Sequence, residues 1–96
     1  MIVRLVNMTF REDKVEEFIL IFSKYQSKIR NAQGCLSLEL IQDVNQKNKI
    51  STLSRWEDEK YLDIYRESDT FKEVWPLTKV LFMEKTKATS FNIIHP

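Results

Sequence analysis

Short segments in which every second residue is apolar alternate along this chain with longer segments of helical spacing. Residues 2–10 alternate in this way and are rich in β-branched and large apolar types, which predicts a first strand from Ile2 to Phe10. The same criterion predicts three further strands, over Cys35 to about Asp43, Lys49 to Trp56 and about Thr86 to Ile94.

Helical spacing of apolar residues begins soon after the first strand. One face of the predicted helix carries Val15, Phe18, Ile19, Phe22, Gln26 and Ile29. Asp13 and Glu16 have the spacing of a capping box, so we expect the Asp13 carboxylate to accept a free backbone N–H at the helix start. The helix is expected to end by Asn31 to Gln33, where Gly34 can adopt the left-handed conformation.

A second helical region is predicted to begin near Asp58, where several acidic residues complement the positive end of a helix dipole. The helix restarts over Ser68 to Thr70, and Thr70 with Glu73 forms a second predicted capping box. Pro76 has no backbone N–H and its ring crowds the preceding turn, so we expect a kink or a break close to it.

This order of elements, β-α-β-β-α-β, is typical of the ferredoxin-like α+β fold, with the helices on one face of an antiparallel sheet. The first strand is apolar on both sides: Ile2, Val6, Met8 and Phe10 point one way, and Val3, Leu5 and Thr9 the other. The helices suffice for one face, so a second copy is expected to cover the other. We expect the face with Ile2, Val6 and Met8 to lie in a two-fold interface.

Composition places the chain among ordinary globular domains. Its 96 residues make one domain, assigned to residues 1–96. The formal net charge of +1 favours neither nucleic acid nor an anionic membrane as a partner. A mean hydropathy of −0.37 and the lack of a long apolar run argue against a membrane span. With Cys35 as the single cysteine and no signal-peptide pattern, a cytoplasmic protein is the simplest interpretation.

Several kinds of active site are excluded by residue type. The single histidine, His95, stands at the extreme C-terminus, and no Cys-x-x-Cys pair occurs, so neither an ordinary metal site nor a histidine-based nucleophile is expected. One glycine cannot build a phosphate-binding loop, and no flavin or nicotinamide fingerprint is present. We therefore expect no metal and no cofactor.

Two segments resemble the antibiotic biosynthesis monooxygenase family. They are Ser54-Arg55-Trp56-Glu57-Asp58, at a strand end, and Tyr65-Arg66-Glu67-Ser68-Asp69-Thr70-Phe71, one helix later. The resemblance covers almost the whole chain. It implies a homodimer that joins its sheets in a dimeric α/β barrel, with a pocket between sheet and helices. Some members of the family oxidise electron-rich phenols or quinols with O2 without metal or flavin. The resemblance thus implies a cofactor-independent monooxygenase of a small phenolic or quinol-type molecule.

Two residues are candidates for the chemistry. Asn7 is a polar residue within an apolar strand, and in haem-degrading members of the family an asparagine occupies the matching place inside the pocket. Tyr65 stands where other members carry histidine or tryptophan, and its hydroxyl could donate a hydrogen bond to a phenolic oxygen. The resemblance thus implies that Asn7 and Tyr65 orient or deprotonate the substrate. Packing roles without catalysis stay open for both.

Four residues are candidates for substrate binding. Trp75, Phe71 and Phe22 are expected to enclose the substrate, and Arg55 to hold an anionic group on it. Trp75 matches the position of the iron-ligating histidine in haem-degrading members, and tryptophan cannot ligate iron, so haem degradation of that kind is not expected. Arg4 is a second arginine that could hold an anion, although ion pairing at an interface is the commoner fate of such residues.

Two alternative functions stay open. One is isomerisation of a small oxo compound on the same fold, because the chain start and the segment from Glu12 to Phe18 resemble an isomerase branch of the family. That branch would place histidine or arginine in the pocket. The other alternative is a ligand-binding dimer without catalysis, which the absence of any strong general base favours.

Overall fold

The computed structural model describes residues 1–96, which form four strands and three α-helices. In chain order the elements are β1 (Ile2–Thr9), a 3-10 turn (Glu12–Lys14), α1 (Val15–Arg30), β2 (Cys35–Gln42), β3 (Lys49–Trp56), α2 (Glu59–Arg66), α3 (Asp69–Lys79) and β4 (Lys87–Asn92). The strands form one antiparallel sheet in the order β2-β3-β1-β4. This arrangement confirms the predicted ferredoxin-like α+β fold. The sheet of a single chain is open, so a barrel would require a second copy. None of the helices has the length and apolar character needed to cross a membrane.

The helix starts differ in how their free N–H groups are satisfied. Asp58 caps α2, and its Oδ1 accepts the N–H of Lys60 at 3.0 Å. The capping box predicted for Asp13 is wrong, because Asp13 lies within the 3-10 turn. The residue that caps α1 is Lys14, which makes no side-chain capping bond. In this 3-10 turn the N–H of Lys14 donates to the carbonyl of Arg11 at 2.9 Å before the α-helix begins.

The start of α3 is capped by Ser68, whose Oγ accepts the N–H of Phe71 at 3.2 Å. The second predicted capping box is therefore wrong, because Thr70 already lies inside the helix. Glu73 is committed elsewhere: its Oε1 accepts a hydrogen bond of 2.5 Å from the hydroxyl of Tyr25 in α1. This bond raises the pKa of Tyr25 and links α1 to α3.

Helix α3 continues through Pro76 to Lys79. We expected a kink or a break close to Pro76, and no break occurs. Proline lacks the N–H that would bond the carbonyl one turn earlier, yet the residues after it remain helical. Thr78 Oγ1 donates to the carbonyl of Val74 at 2.9 Å. Thr78 is itself buried, so packing of this turn holds the helix together across the proline.

The buried face of α1 is rotated from the predicted one. Phe18 and Ile29 are buried as expected, but Ile19 and Gln26 are exposed. Tyr25 is buried instead, with 2 % of its surface exposed. Residues spaced as 18, 25 and 29 follow one stripe of the helix, and the tyrosine occupies it because Glu73 satisfies its hydroxyl.

The helices cover the sheet face that carries Ile2, Met8 and Phe10. Phe10 is fully buried and stacks on Phe18 of α1 with ring centroids 4.2 Å apart. The expectation that Ile2, Val6 and Met8 lie in a two-fold interface is therefore wrong. Alternation fixed which residues share a face, but both faces are apolar, so it did not determine which face the helices cover.

The opposite sheet face has no helix over it and is called the open face. Strand pairing and alternation place these side chains on it: Val3, Leu5, Asn7, Thr9, Ser37, Glu39, Ile41, Lys49, Ser51, Leu53, Arg55, Lys87, Thr89 and Phe91. Leu5 and Leu53 are direct cross-strand partners at its centre, and Phe91 lies toward one edge with 50 % of its surface exposed.

The turn between α1 and β2 depends on Gly34, which has φ +81°. Its carbonyl accepts the N–H of Glu57 at 2.9 Å, so the turn is tied to the end of β3. A Cβ at this position would lie 2.3 Å from Cγ and 2.5 Å from Cβ of Tyr61. Glycine is thus required both by the backbone conformation and by the close approach of α2.

We expect Gly34→Ala to lower the free energy of unfolding by about 2–4 kcal/mol, the sum of left-handed strain and overpacking against Tyr61. Urea denaturation checks this. Because Cβ of Tyr61 is one of the crowded atoms, the matched variant is Tyr61→Gly. Adding Gly34→Ala to Tyr61→Gly should cost less than adding it to the unaltered chain, since only the backbone strain remains. Equal costs in the two backgrounds would show that the contact with Tyr61 is not significant.

Candidate functional site

A cavity of about 380 Å³ lies between the helix-covered face of the sheet and the helices. Thirteen of its nineteen lining residues are hydrophobic, so the cavity favours a substrate with an apolar body. Its floor is the inward side of β1, from which Arg4, Val6 and Met8 project. The same alternation brings Ala88 of β4 alongside Val6.

One wall of the cavity is a continuous row of aromatic rings. The Tyr65 ring lies 5.5 Å from that of Trp56 and 5.5 Å, edge-on, from that of Phe71. Phe71 stacks on Trp75 at 5.8 Å with an interplanar angle of 10°. Phe22 of α1 lines the cavity as well. Four of the six predicted site residues, Tyr65, Phe71, Trp75 and Phe22, are therefore brought together.

The electrostatics of Tyr65 are set by its surroundings. Burial, with a smaller contribution from Cys35, raises its pKa to about 12. Its backbone carbonyl accepts the Ser68 hydroxyl at 2.6 Å, whereas its own hydroxyl makes no hydrogen bond to the protein. At neutral pH, Tyr65 is therefore a neutral donor toward the cavity and cannot serve as a base.

The position expected for Asn7 is wrong. Asn7 belongs to the open face, is exposed, and its Oδ1 accepts the Ser51 hydroxyl at 2.7 Å. Arg55 also lies on the open face, opposite Val3, and does not reach the cavity. The expected positions of both residues are wrong for the same reason. Successive side chains of a strand point to opposite faces, and Asn7 and Arg55 alternate with the residues that point into the cavity.

Two arginines line the cavity, and only one was noticed in the sequence. Arg4 projects from β1, and its Nη1 donates to Ser90 Oγ at 3.0 Å. Arg66 ends α2. The pKa of Arg4 is lowered by burial and then by the positive charge of Arg66, while Asp63 and Glu59 act in the opposite direction. In the sequence, Arg4 alternates in step with Val6 and Met8, and this spacing places the three side chains on one face of β1.

A buried hydroxyl in the lining has no partner. Oγ1 of Thr86, just before β4, is shielded from solvent and makes no hydrogen bond within the protein. Such a group costs about 1–3 kcal/mol unless something in the cavity bonds to it. Sequence reasoning missed Thr86, because nothing in a threonine near a strand start indicates that its hydroxyl lacks a partner.

The cavity lining contains no histidine, aspartate, glutamate or cysteine. Elsewhere in the chain, no group of three or more such side chains is placed to hold a metal ion. The arrangement offers an apolar chamber, the Tyr65 hydroxyl without a protein partner, and two arginines in the lining. It can bind, orient and stabilise negative charge on an apolar molecule.

Similar proteins were found among solved structures. A conserved protein from Methanosarcina mazei Go1 is 25% identical, with a TM-score of 0.89 over 95% of this chain and 91% of that one. An antibiotic biosynthesis monooxygenase is 16% identical, with a TM-score of 0.92 over 99% and 100% of the two chains. A protein of Nitrosomonas europaea described under the same family name is 14% identical, with a TM-score of 0.92 and the same coverage. The last two likenesses concern the fold alone.

No curated protein matches the chain. A sequence model described as antibiotic biosynthesis monooxygenase matches residues 1–75, which span the strands and helices from β1 to most of α3. The match includes the aromatic wall and both cavity arginines, and it stops before Thr86 and Ala88 of the β4 side. This chain belongs to the antibiotic biosynthesis monooxygenase family.

Proposed function

We propose that this chain is a cofactor-independent monooxygenase that oxidises a small phenolic or quinol-type molecule with O2 inside the cavity. The observation that carries the proposal is the apolar, aromatic-walled cavity, lined by Tyr65, whose hydroxyl has no partner within the protein. Family membership supports it. Such a chamber keeps a reactive anion away from bulk water.

The substrate itself supplies the electrons in this reaction. For naphthohydroquinone as the probe, the quinol and O2 give hydroxynaphthoquinone and water. One oxygen atom enters a C–H bond of the ring, the other leaves as water, and the quinol provides all four electrons. The protein has to bind the quinol, favour its deprotonated form and exclude water, and none of these tasks needs a metal or a flavin.

Tyr65 is the residue proposed to act on the substrate oxygens. Because its pKa is raised to about 12, Tyr65 keeps its proton at neutral pH and can donate it in a hydrogen bond to a phenolate. The nearby guanidinium groups of Arg4 and Arg66 stabilise negative charge in the cavity. Trp75, Phe71 and Phe22 enclose the ring.

We propose that the working form is a homodimer joined through the open face. The centre of this face is apolar, with Leu5 and Leu53 paired across strands and Val3 beside them. Charged residues, among them Glu39 and Arg55, surround that centre. An exposed apolar patch with a polar rim is typical of a subunit interface, and a two-fold axis would bring the patch onto itself.

Oxygen uptake with naphthohydroquinone tests the reaction. The purified protein should consume O2 above the spontaneous rate without added metal or flavin, and chelator should not reduce the rate. Tyr65→Phe removes one donor and keeps the ring, so it should lower kcat about tenfold or more. Gln26→Ala alters an exposed side chain of α1 that neither lines the cavity nor lies on the open face, and it should leave the rate unchanged.

A second function would follow from one specific observation. The lining lacks a carboxylate or imidazole that could serve as a general base. If naphthohydroquinone raises the melting temperature but no O2 is consumed above the spontaneous rate, the chain binds aromatic ligands without oxidising them. That result would contradict the monooxygenase and establish a ligand-binding dimer in its place.

A further inference from the structure

Two arginines line the cavity, and neither is joined to a carboxylate in an ion pair. They are Arg4 and Arg66, and the only ion pair within 4.0 Å in the protein joins Lys14 to Glu17. Arg4 uses one N–H on the Ser90 hydroxyl. A guanidinium has five N–H donors, so most of its capacity is free.

Burial lowers the pKa of Arg4, and the positive charge of Arg66 lowers it further. Asp63 and Glu59 act on this pKa in the opposite direction. Arg4 is half-buried, and it is close enough to Arg66 for the two charges to repel. Because Arg4 is partly desolvated, its surroundings screen its attraction for an anion less than water does. Arg66 is exposed and adds a second positive charge beside the same cavity.

We propose that the substrate of this cavity carries a carboxylate, and that Arg4 and Arg66 bind it together. The inference rests on the cavity being the substrate site of the proposed function. The substrate is then an aromatic acid: its ring lies against the Tyr65–Phe71–Trp75 wall, and its carboxylate lies between the end of α2 and the floor of β1. A guanidinium matches a carboxylate with two parallel hydrogen bonds.

The neighbouring charges favour a single negative charge over two. Asp63 and Glu59 of α2 act on Arg4 with a sign opposite to that of Arg66, although neither forms an ion pair with it. These carboxylates offset part of the attraction that the arginines exert on an anion, and removing a doubly charged phosphate from water costs more than removing a singly charged carboxylate. The site thus discriminates by the amount of charge as well as by its sign.

Calorimetric titration with two isosteric probes tests the inference. We expect 6-hydroxy-2-naphthoate to bind about tenfold or more tighter than its neutral amide, 6-hydroxy-2-naphthamide, because a charge-assisted pair is worth more than a neutral contact. Arg4→Gln and Arg66→Gln should each reduce this preference several-fold while the amide still binds. 2-Naphthyl phosphate should bind more weakly than the carboxylate.

The control is Lys72→Gln, which removes the same charge from an exposed position of α3 that does not line the cavity. The preference for the acid should survive in that variant. Equal binding of acid and amide, or equal losses of preference in Lys72→Gln and Arg66→Gln, would overturn the inference. If one arginine variant no longer binds the amide either, its cavity is disrupted. The preference measured in the other arginine variant then tests the inference.

The outcome separates this inference from the proposed function. Preference for the acid without O2 consumption by any quinol would leave the carboxylate site standing and remove the oxidation. Oxidation of naphthohydroquinone together with equal binding of acid and amide would leave the monooxygenase standing and remove the carboxylate site. Failure of both probes to bind would overturn both proposals.

Discussion

Leu53→Asp should convert the protein from a dimer into a monomer. Leu53 lies at the centre of the open face. A two-fold interface contains this residue from both copies, so the variant would bury two carboxylates in it. The combined cost should raise the dissociation constant of the dimer by about a thousandfold or more. Light scattering at low micromolar concentration should give twice 11.5 kDa for the unaltered chain and a single mass for the variant.

The matched control for this prediction is Leu20→Asp. Leu20 lies on α1 with 72 % of its surface exposed, and it is far from the open face. The same chemical change there should leave the dimer intact. A monomeric unaltered chain, or a dimer that persists in Leu53→Asp, would show that the open face is not the interface.

Ala88→Trp should abolish oxidation without unfolding the protein. Ala88 borders the cavity but is exposed, so an indole can project into the cavity without overpacking the core. A filled cavity leaves no room for a ring and O2 together, and even a displacement of about 1 Å in a reacting group can cost a hundredfold in rate. We expect oxygen uptake to fall about a hundredfold or more, while circular dichroism is unchanged.

Val44→Trp provides the comparison for added bulk. Val44 is 94 % exposed in the turn between β2 and β3, away from the cavity. Oxygen uptake by this variant should equal that of the unaltered chain. Normal turnover by a well-folded Ala88→Trp would mean that the oxidation takes place outside the cavity.

Local patterns in the sequence determined most of the fold. Strand β3 has the predicted bounds, Lys49–Trp56, because its apolar alternation ends at a helix-capping aspartate. The helix caps were less predictable. Asp13 was predicted to cap α1 but does not, whereas Ser68 caps α3. The residue that caps a helix is the one with extended backbone torsions at its start, and those torsions depend on how the preceding chain packs.

The candidate site was predictable in its helices and not in its strands. Tyr65 lies in α2, and Phe71 and Trp75 lie in α3. The family resemblance assigns all three to one pocket, and both helices are predicted to pack on the same face of the sheet. Asn7 and Arg55 depend on which sheet face the helices cover. The sequence is ambiguous there, since Leu5 and Val6 satisfy either choice equally well.

The carboxylate site was out of reach of sequence reasoning for a different reason. Arg4 and Arg66 are far apart in the chain, and only the packing of α2 over β1 brings their charges together. The missing partner of Thr86 is likewise a property of the packed cavity rather than of any motif. Sites of this kind become visible when every buried polar group is matched to a partner.

Turnover of naphthohydroquinone under isotopically labelled dioxygen tests the central claim most directly. Mass spectrometry of the product made by metal-free, flavin-free protein should show one labelled oxygen atom per hydroxynaphthoquinone, with the second recovered in water. Unlabelled naphthoquinone formed together with an equal amount of hydrogen peroxide would contradict the account, because the protein would then transfer electrons to O2 without inserting oxygen.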